Sequence, residues 1–413
     1  MHSGIAIATT FALQSATALT WMTLPVLAPY VALSAGVAPS RIGEMAGVMF
    51  LGALLANLLG AQLVAIIGAV RTLQLGSGIA AAGLLLAQHG TWAAVIGSAV
   101  VIGLGYGLGV PSASHILARH TAASHRGLVF SIKQSGVPVG GLLAGTMLPP
   151  IAVAADWRWA VAAAAMLCLG VGLAAELARS RLDDGSASRT RTWRSVRVRF
   201  PLLTALRSHE DLTWLAYSGF AAAAMQGAVF ALLVAFLVST GKFDVVAAGL
   251  VFAAMHLSGA AARIVLGIVS DRLLPPQRLL ALLSVLGGSA ILTLAMSAGQ
   301  IAQPAVFMLA VVIGATVSGW NGVYLAEISH LSPPDRVSET TASSVALVFL
   351  GYIVGPLLAS FVVSATGSYT LAFGLLAMLV FLGPLLFVRR SLRRRQAGTT
   401  PSPAPHRASR QRR

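Results

Sequence analysis

The sequence is poor in charge. Of 413 residues, 10% are Asp, Glu, Lys or Arg, where a soluble domain carries about a quarter. Acids are the scarcer sign, 12 against 28 basic residues. Lysine is nearly missing, with Lys133 and Lys242 the two present. The single cysteine, Cys168, excludes a disulfide or a thiolate metal site within one chain. No G-x-x-x-x-G-K-[ST] run is present, so nothing points to nucleotide hydrolysis. The ten-residue alternation of a membrane β-barrel is also missing. No cleavable leader is legible, because the N-terminus lacks a basic region and its apolar run is too long. No cofactor is called for.

What is there is apolar, 57% of the chain, in runs near 20 residues that recur from end to end. Such runs make an all-α polytopic membrane protein surrounded by lipid bilayer. They predict twelve transmembrane helices, at about 7–33, 42–67, 71–88, 92–118, 127–149, 159–178, 213–238, 246–270, 278–298, 304–328, 340–364 and 370–388. Residues 1–178 then form one six-helix bundle and 213–388 a second. A basic linker, 179–212, joins them with eight arginines. A basic tail, 389–413, is too polar to bury a core and reads as disordered.

A net charge of +16 could suggest nucleic acid. The arginines, however, lie between and after the apolar runs, where membrane topology puts them. With the N-terminus inside, 23 Lys and Arg fall in cytoplasmic segments and 3 in outer loops. That ratio places both termini in the cytoplasm of a bacterial-type inner membrane.

The halves look like repeats. Gly136-Val-Pro-Val-Gly140-Gly-Leu-Leu-Ala-Gly145 in the fifth span aligns with Gly351-Tyr-Ile-Val-Gly355-Pro-Leu-Leu-Ala-Ser360 in the eleventh, and Gly60 aligns with Gly267. Six spans, a basic loop and six matching spans have the form of a two-bundle transporter. Gly267-Ile-Val-Ser-Asp271-Arg272, followed by Arg278, resembles the G-x-x-x-D-R loop of the major facilitator superfamily. The first-half copy departs from it: Val64 and Ala65 stand where Asp and Arg are expected, and only Arg71 is kept. The resemblance covers the chain through topology and repeat. It implies two pseudo-symmetric bundles, alternating access and a monomeric carrier.

Arg263 lies in the eighth span with apolar residues on both sides, about 8 Å from the bilayer midplane at ~1.5 Å per residue. An ionised group there costs several kcal/mol unless it meets protein, water or a counter-charge, and arginine does not readily lose its proton. The resemblance places the eighth span beside the fifth at a central cavity, and the fifth carries Lys133 at similar depth. Two such cations repel unless an anion lies between them. Arginine at this place also resembles carriers of small carboxylates, such as the oxalate/formate antiporter and the monocarboxylate transporters. Those differ by a lysine that the eleventh span here lacks. Two blander readings stand beside this one. Lys133 could snorkel to the inner interface, and Arg263 could be structural, bonded to helix-end carbonyls.

His256 precedes Arg263 by seven residues, so the two share a helix face. It could bind substrate, carry a proton or simply pack. Polar and aromatic residues near span centres are Trp21, Asn57, Tyr106, Gln134, Tyr217, Gln226, Trp320, Asn321 and Tyr352, with Gln14 and Thr17 on one face of the first span. Gln134, Gln226 and Asn321 are the stronger candidates for the cavity wall, since an amide in lipid needs a partner. Trp21 and Tyr352 join them as candidate substrate contacts.

Asp271, Arg272, Arg278, Glu327, Arg336 and Glu339 gather at cytoplasmic helix ends. With Gly267 they form a candidate gate of inter-helix ion pairs, as the resemblance implies; the alternative is a set of solvated loop charges. No acid lies deep in a span, which argues against a proton-driven pump for cationic drugs. The expected function is secondary transport of a small organic anion, a carboxylate by preference. An efflux carrier for neutral or amphipathic compounds is the rival. A membrane-embedded enzyme using His115, His120 and His125 is remote, because a spacing of five is not that of a metal-binding helix.

Overall fold

Three helix starts are set by side-chain caps. Thr91 accepts from the Ala94 amide at 3.3 Å, Asp156 from Arg158 at 2.8 Å and Asp244 from Ala247 at 2.7 Å. Each satisfies an amide that the first helical turn leaves without an intrahelical partner. The computed structural model describes residues 3–122, 125–183, 210–240, 242–332 and 337–396, with no strand among them. The expected linker and tail therefore fall largely outside the described residues, and Arg336 entirely so.

Among the described residues, twelve helices are long and apolar enough to cross a membrane. The first six are Ser3–Val26, Pro39–Ile67, Ala69–Ala87, Trp92–His120, Leu128–Ala154 and Trp157–Leu182. The second six are Asp211–Ser239, Val245–Arg272, Pro276–Ser297, Gln303–Leu331, Thr340–Thr366 and Tyr369–Arg389. They form two pseudo-symmetric six-helix bundles. An even number of spans brings both ends of the chain to one face of the molecule, the termini face.

Several spans are interrupted. The first stops at Val26, just past Pro25, and a short helix, Ala28–Ser34, replaces the rest of the expected run. The fourth breaks between Gly107 and Gly109. The tenth carries a π-helical turn, Gly314–Ser318. The fifth breaks at Ser135, between Arg126–Gln134 and Gly136–Ala154, and its cause is in the sequence. Ser135 donates to the Ser131 carbonyl at 3.0 Å, and Val139 donates to the Ser135 carbonyl at 3.2 Å. Helical bonding therefore holds on both sides of one gap. Pro138 has no N–H for the carbonyl four residues back, so the Gln134 carbonyl loses its usual donor.

Small residues bring the helices together. Side chains on Gly103 and Gly107 would strike the carbonyls of Met49 and Ala53, and one on Gly105 the carbonyl of Gly76. The alternating glycines thus seat the fourth span on the second with one face and on the third with the other. Gly136 and Gly140 pack on the first span at Phe11 and Ser15; Gly351 and Gly355 pack on the seventh at Phe220 and Ala224. The fifth and eighth spans meet through Gly145 and Gly249, backbone to backbone.

Away from the termini the bundles close on each other. Gly43 lies against the Pro356 carbonyl, Gly47 against Leu357, and the hydroxyls of Ser40 and Ser364 are 3.4 Å apart. Toward the termini face the same two helices expose Ala61 and Ala342. Nothing approaches within 4 Å of the position a Cβ on Gly267 would take. Among the described residues the bundles are closed on each other at the loop face.

Candidate functional site

Arg263 is 8% exposed and joins three helices. Its Nε donates to the Ser318 carbonyl at 3.1 Å, at the end of the π turn in the tenth span. Its Nη1 donates to the Gln134 carbonyl, the one that Pro138 leaves without a helical donor. The second bond crosses from one bundle to the other. No carboxylate pairs with Arg263 among the described residues. A guanidinium has five N–H donors, so three have no protein acceptor there.

Lys133 is 4% exposed. Its Nζ donates to the Gln134 side-chain oxygen at 3.2 Å, so the lysine does not snorkel in this conformation. Gln134 accepts from both cations, through its backbone and its side chain. The charges are within electrostatic range of each other, and the hydroxyls of Tyr106 and Tyr352 lie in the same field. Gln14 donates to the Tyr106 hydroxyl at 3.4 Å.

A second polar group is centred on Gln226. Its Oε1 accepts from Trp320 Nε1 at 3.0 Å, from the Tyr352 hydroxyl at 3.0 Å and from Asn321 Nδ2 at 3.4 Å. Side chains that the sequence marks separately on the seventh, tenth and eleventh spans therefore form one network.

Between the bundles stands an aromatic wall. Phe50 stacks on Tyr352 at 4.8 Å, with 17° between the rings. Trp21 stacks on Phe230 at 6.1 Å and meets Phe50 edge-on at 5.2 Å. Its Nε1 is buried without a hydrogen bond. Phe50, Phe230 and Ser318 escaped the sequence reading. Mid-span aromatics in apolar runs look like packing, and nothing in a sequence marks a carbonyl as an acceptor.

His256 is fully buried. Its ring lies 4.4 Å from both Phe230 and Phe252 and against Gly141 of the fifth span. Neither nitrogen has a hydrogen-bond partner. It shares the interface with Arg263, two turns away, but makes no hydrogen bond with the polar group. Of the other mid-span residues, Tyr217 donates to the Leu379 carbonyl at 2.7 Å inside the second bundle.

At the termini face Asp271, Arg272 and Arg278 are exposed, and no ion pair joins them to another described side chain in this conformation. Glu327 is 6% exposed, accepts from Gln277 at 3.0 Å and lies 3.9 Å from His330. In the first-half loop a carboxylate arrives from elsewhere. Asp183, at the end of the sixth span, accepts from the Val70 amide at 3.1 Å, and Arg71 pairs with Glu176 at 3.2 Å. His115, His120 and His125 join no group of three or more His, Cys, Asp or Glu able to hold a metal among the described residues.

The family model of the Major Facilitator Superfamily matches residues 10–342. The chain belongs to the major facilitator superfamily. The fold agrees. A bacterial homolog to the human lysosomal transporter Spinster, in an inward-facing and occupied conformation, superimposes with a TM-score of 0.76 at 12% identity, over 97% of this chain and 99% of that one. The same protein, unoccupied, gives 0.77 at 12% identity over the same shares. The nucleoside transporter NupG, as a point mutant, gives 0.74 at 14% identity, over 93% and 99%. No curated protein matches the sequence. This superfamily fold is that of a transporter, not an enzyme, and identities this low establish the fold alone.

Proposed function

We propose that this major facilitator protein is a secondary carrier that moves a small organic anion, a carboxylate by preference, by alternating access. One observation carries the reading. Arg263 and Lys133 are buried and both bonded to Gln134, with no acid against them among the described residues and with N–H donors left over. A carboxylate takes a guanidinium through two parallel hydrogen bonds, and an ammonium adds a mobile point charge. The binding contacts would be Arg263, Lys133, Gln134 and the Gln226 network with Asn321 and Tyr352. Trp21 would contribute apolar wall, and His256 would support the wall without touching substrate.

The excess of arginine in alternate loops supports cytoplasmic termini in an inner membrane, so the termini face would be cytoplasmic. Asp271, Arg272 and Arg278 would then pair across helices when that face closes, with Glu327 as their buried neighbour. A second reading has its own support. The aromatic wall of Trp21, Phe50, Phe230 and Tyr352 suits a neutral or amphipathic compound with a flat apolar body.

A thermal-shift screen of the purified protein against carboxylates and neutral amphiphiles separates the two, because a ligand stabilises by RT ln(1 + [L]/Kd). Stabilisation by carboxylates that is lost in Arg263→Ala supports the anion. Stabilisation by neutral amphiphiles alone, unchanged in Arg263→Ala, sinks it.

A further inference from the structure

Arg263 is held across the bundle interface by a carbonyl that an ordinary helix would not have to spare. In an α-helix the Gln134 oxygen would accept from the amide at position 138. Pro138 has none. The flanking bonds, Ser135 to Ser131 and Val139 to Ser135, are both present. The interruption is therefore local and leaves one acceptor open. Into that opening comes Nη1 of Arg263 from the opposite bundle. A buried guanidinium with no carboxylate near it needs acceptors, and this carbonyl is one of the two it has.

We propose that Pro138 is a positioning residue for Arg263. By withholding an N–H it reserves the Gln134 carbonyl, and the resulting cross-bundle hydrogen bond ties the two bundles together in this conformation. Rocking one bundle against the other changes this contact, so the latch must break or be taken over by a ligand as the conformation changes. The proposal concerns the ligand-free protein and does not rest on the anion reading.

The test compares two replacements at one position. Pro138→Ala supplies an amide that competes with Arg263 for the carbonyl. An alanine-like α-hydroxy acid at position 138, introduced by nonsense suppression, puts an ester there instead, with neither ring nor N–H. Spin labels on Ala61→Cys and Ala342→Cys, in a Cys168→Ala background, report the opening of the termini face without substrate. The expected result is that Pro138→Ala shifts the open-to-closed ratio by about tenfold, the weight of a hydrogen bond from a charged donor. The ester variant should keep the distribution of the parent. Equal shifts in both variants would assign the effect to the ring, and no shift in either would remove the latch; both overturn the proposal. Should the alanine variant not fold, Arg263→Gln reads the same bond from its donor side. It must shift the same distribution, and an unchanged distribution overturns the proposal as well.

Discussion

Gly141 lies against the imidazole of His256 with no room for one more carbon between them. Seven residues further along each helix, in opposite directions, Gln134 meets Arg263. The fifth and eighth spans run antiparallel, so one register carries both contacts, two turns apart. Gly141→Ala should therefore strike the ring and lower thermal stability by about 1–3 kcal/mol, the usual cost of overpacking. His256→Ala in the same chain should recover much of the loss. Melting curves of the two single variants and the double variant in detergent decide the matter, and an unchanged melt in Gly141→Ala would refute the contact.

The cations should differ in weight. Arg263→Ala should lower affinity for the anion at least ~30-fold, as loss of a buried charged partner typically does. Arg263→Lys should also weaken binding, because the planar fork is lost though the charge is kept. Lys133→Ala should cost less, since a lysine contributes only a point charge. Titration calorimetry with the carboxylate found by thermal shift reads all three. Affinity unchanged from the parent in both alanine variants would end the anion reading.

Gln226 makes an asymmetric prediction. Tyr352→Phe removes one donor to an oxygen that keeps two others, and should cost about 0.5–1.5 kcal/mol of stability. Gln226→Leu strands Trp320 Nε1 and the Tyr352 hydroxyl together, at about 1–3 kcal/mol for each buried orphan. Melting curves should rank Gln226→Leu as clearly worse; the reverse order would break up the network.

The gate predicts an effect on rate without one on stability. Asp271 is exposed and pairs with no described side chain in this conformation, so Asp271→Asn should leave insertion and melting unchanged. If Asp271 pairs when the termini face closes, transport into reconstituted vesicles should fall. Equal transport by mutant and parent would return these charges to the solvent.

The twelve spans and their repeat were legible because bilayer thickness and backbone bonding dictate them. Arg263 was legible by its depth alone. Its acceptors were not, because backbone carbonyls carry no signature. Pro138 was visible as a missing N–H, but nothing in the fifth span says which donor would arrive from the eighth. The spacing from His256 to Arg263 gave the shared face correctly. The partners of that histidine are rings, one of them from the seventh span, and a helix period does not extend to its neighbours. The first-half loop looked bare at Val64 and Ala65. Its carboxylate, Asp183, comes from more than a hundred residues away.

The meeting of Gly145 with Gly249 has a mechanical consequence. Neither backbone presents a side chain there, and Pro149 closes over the same spot. Helices that mesh through large side chains resist rotation as gear teeth do, each knob having to climb out of its socket. Two bare backbones in contact have no teeth. At this one point the two helices have little to climb over, so the resistance to motion must come from elsewhere along the same pair, as where His256 seats on Gly141.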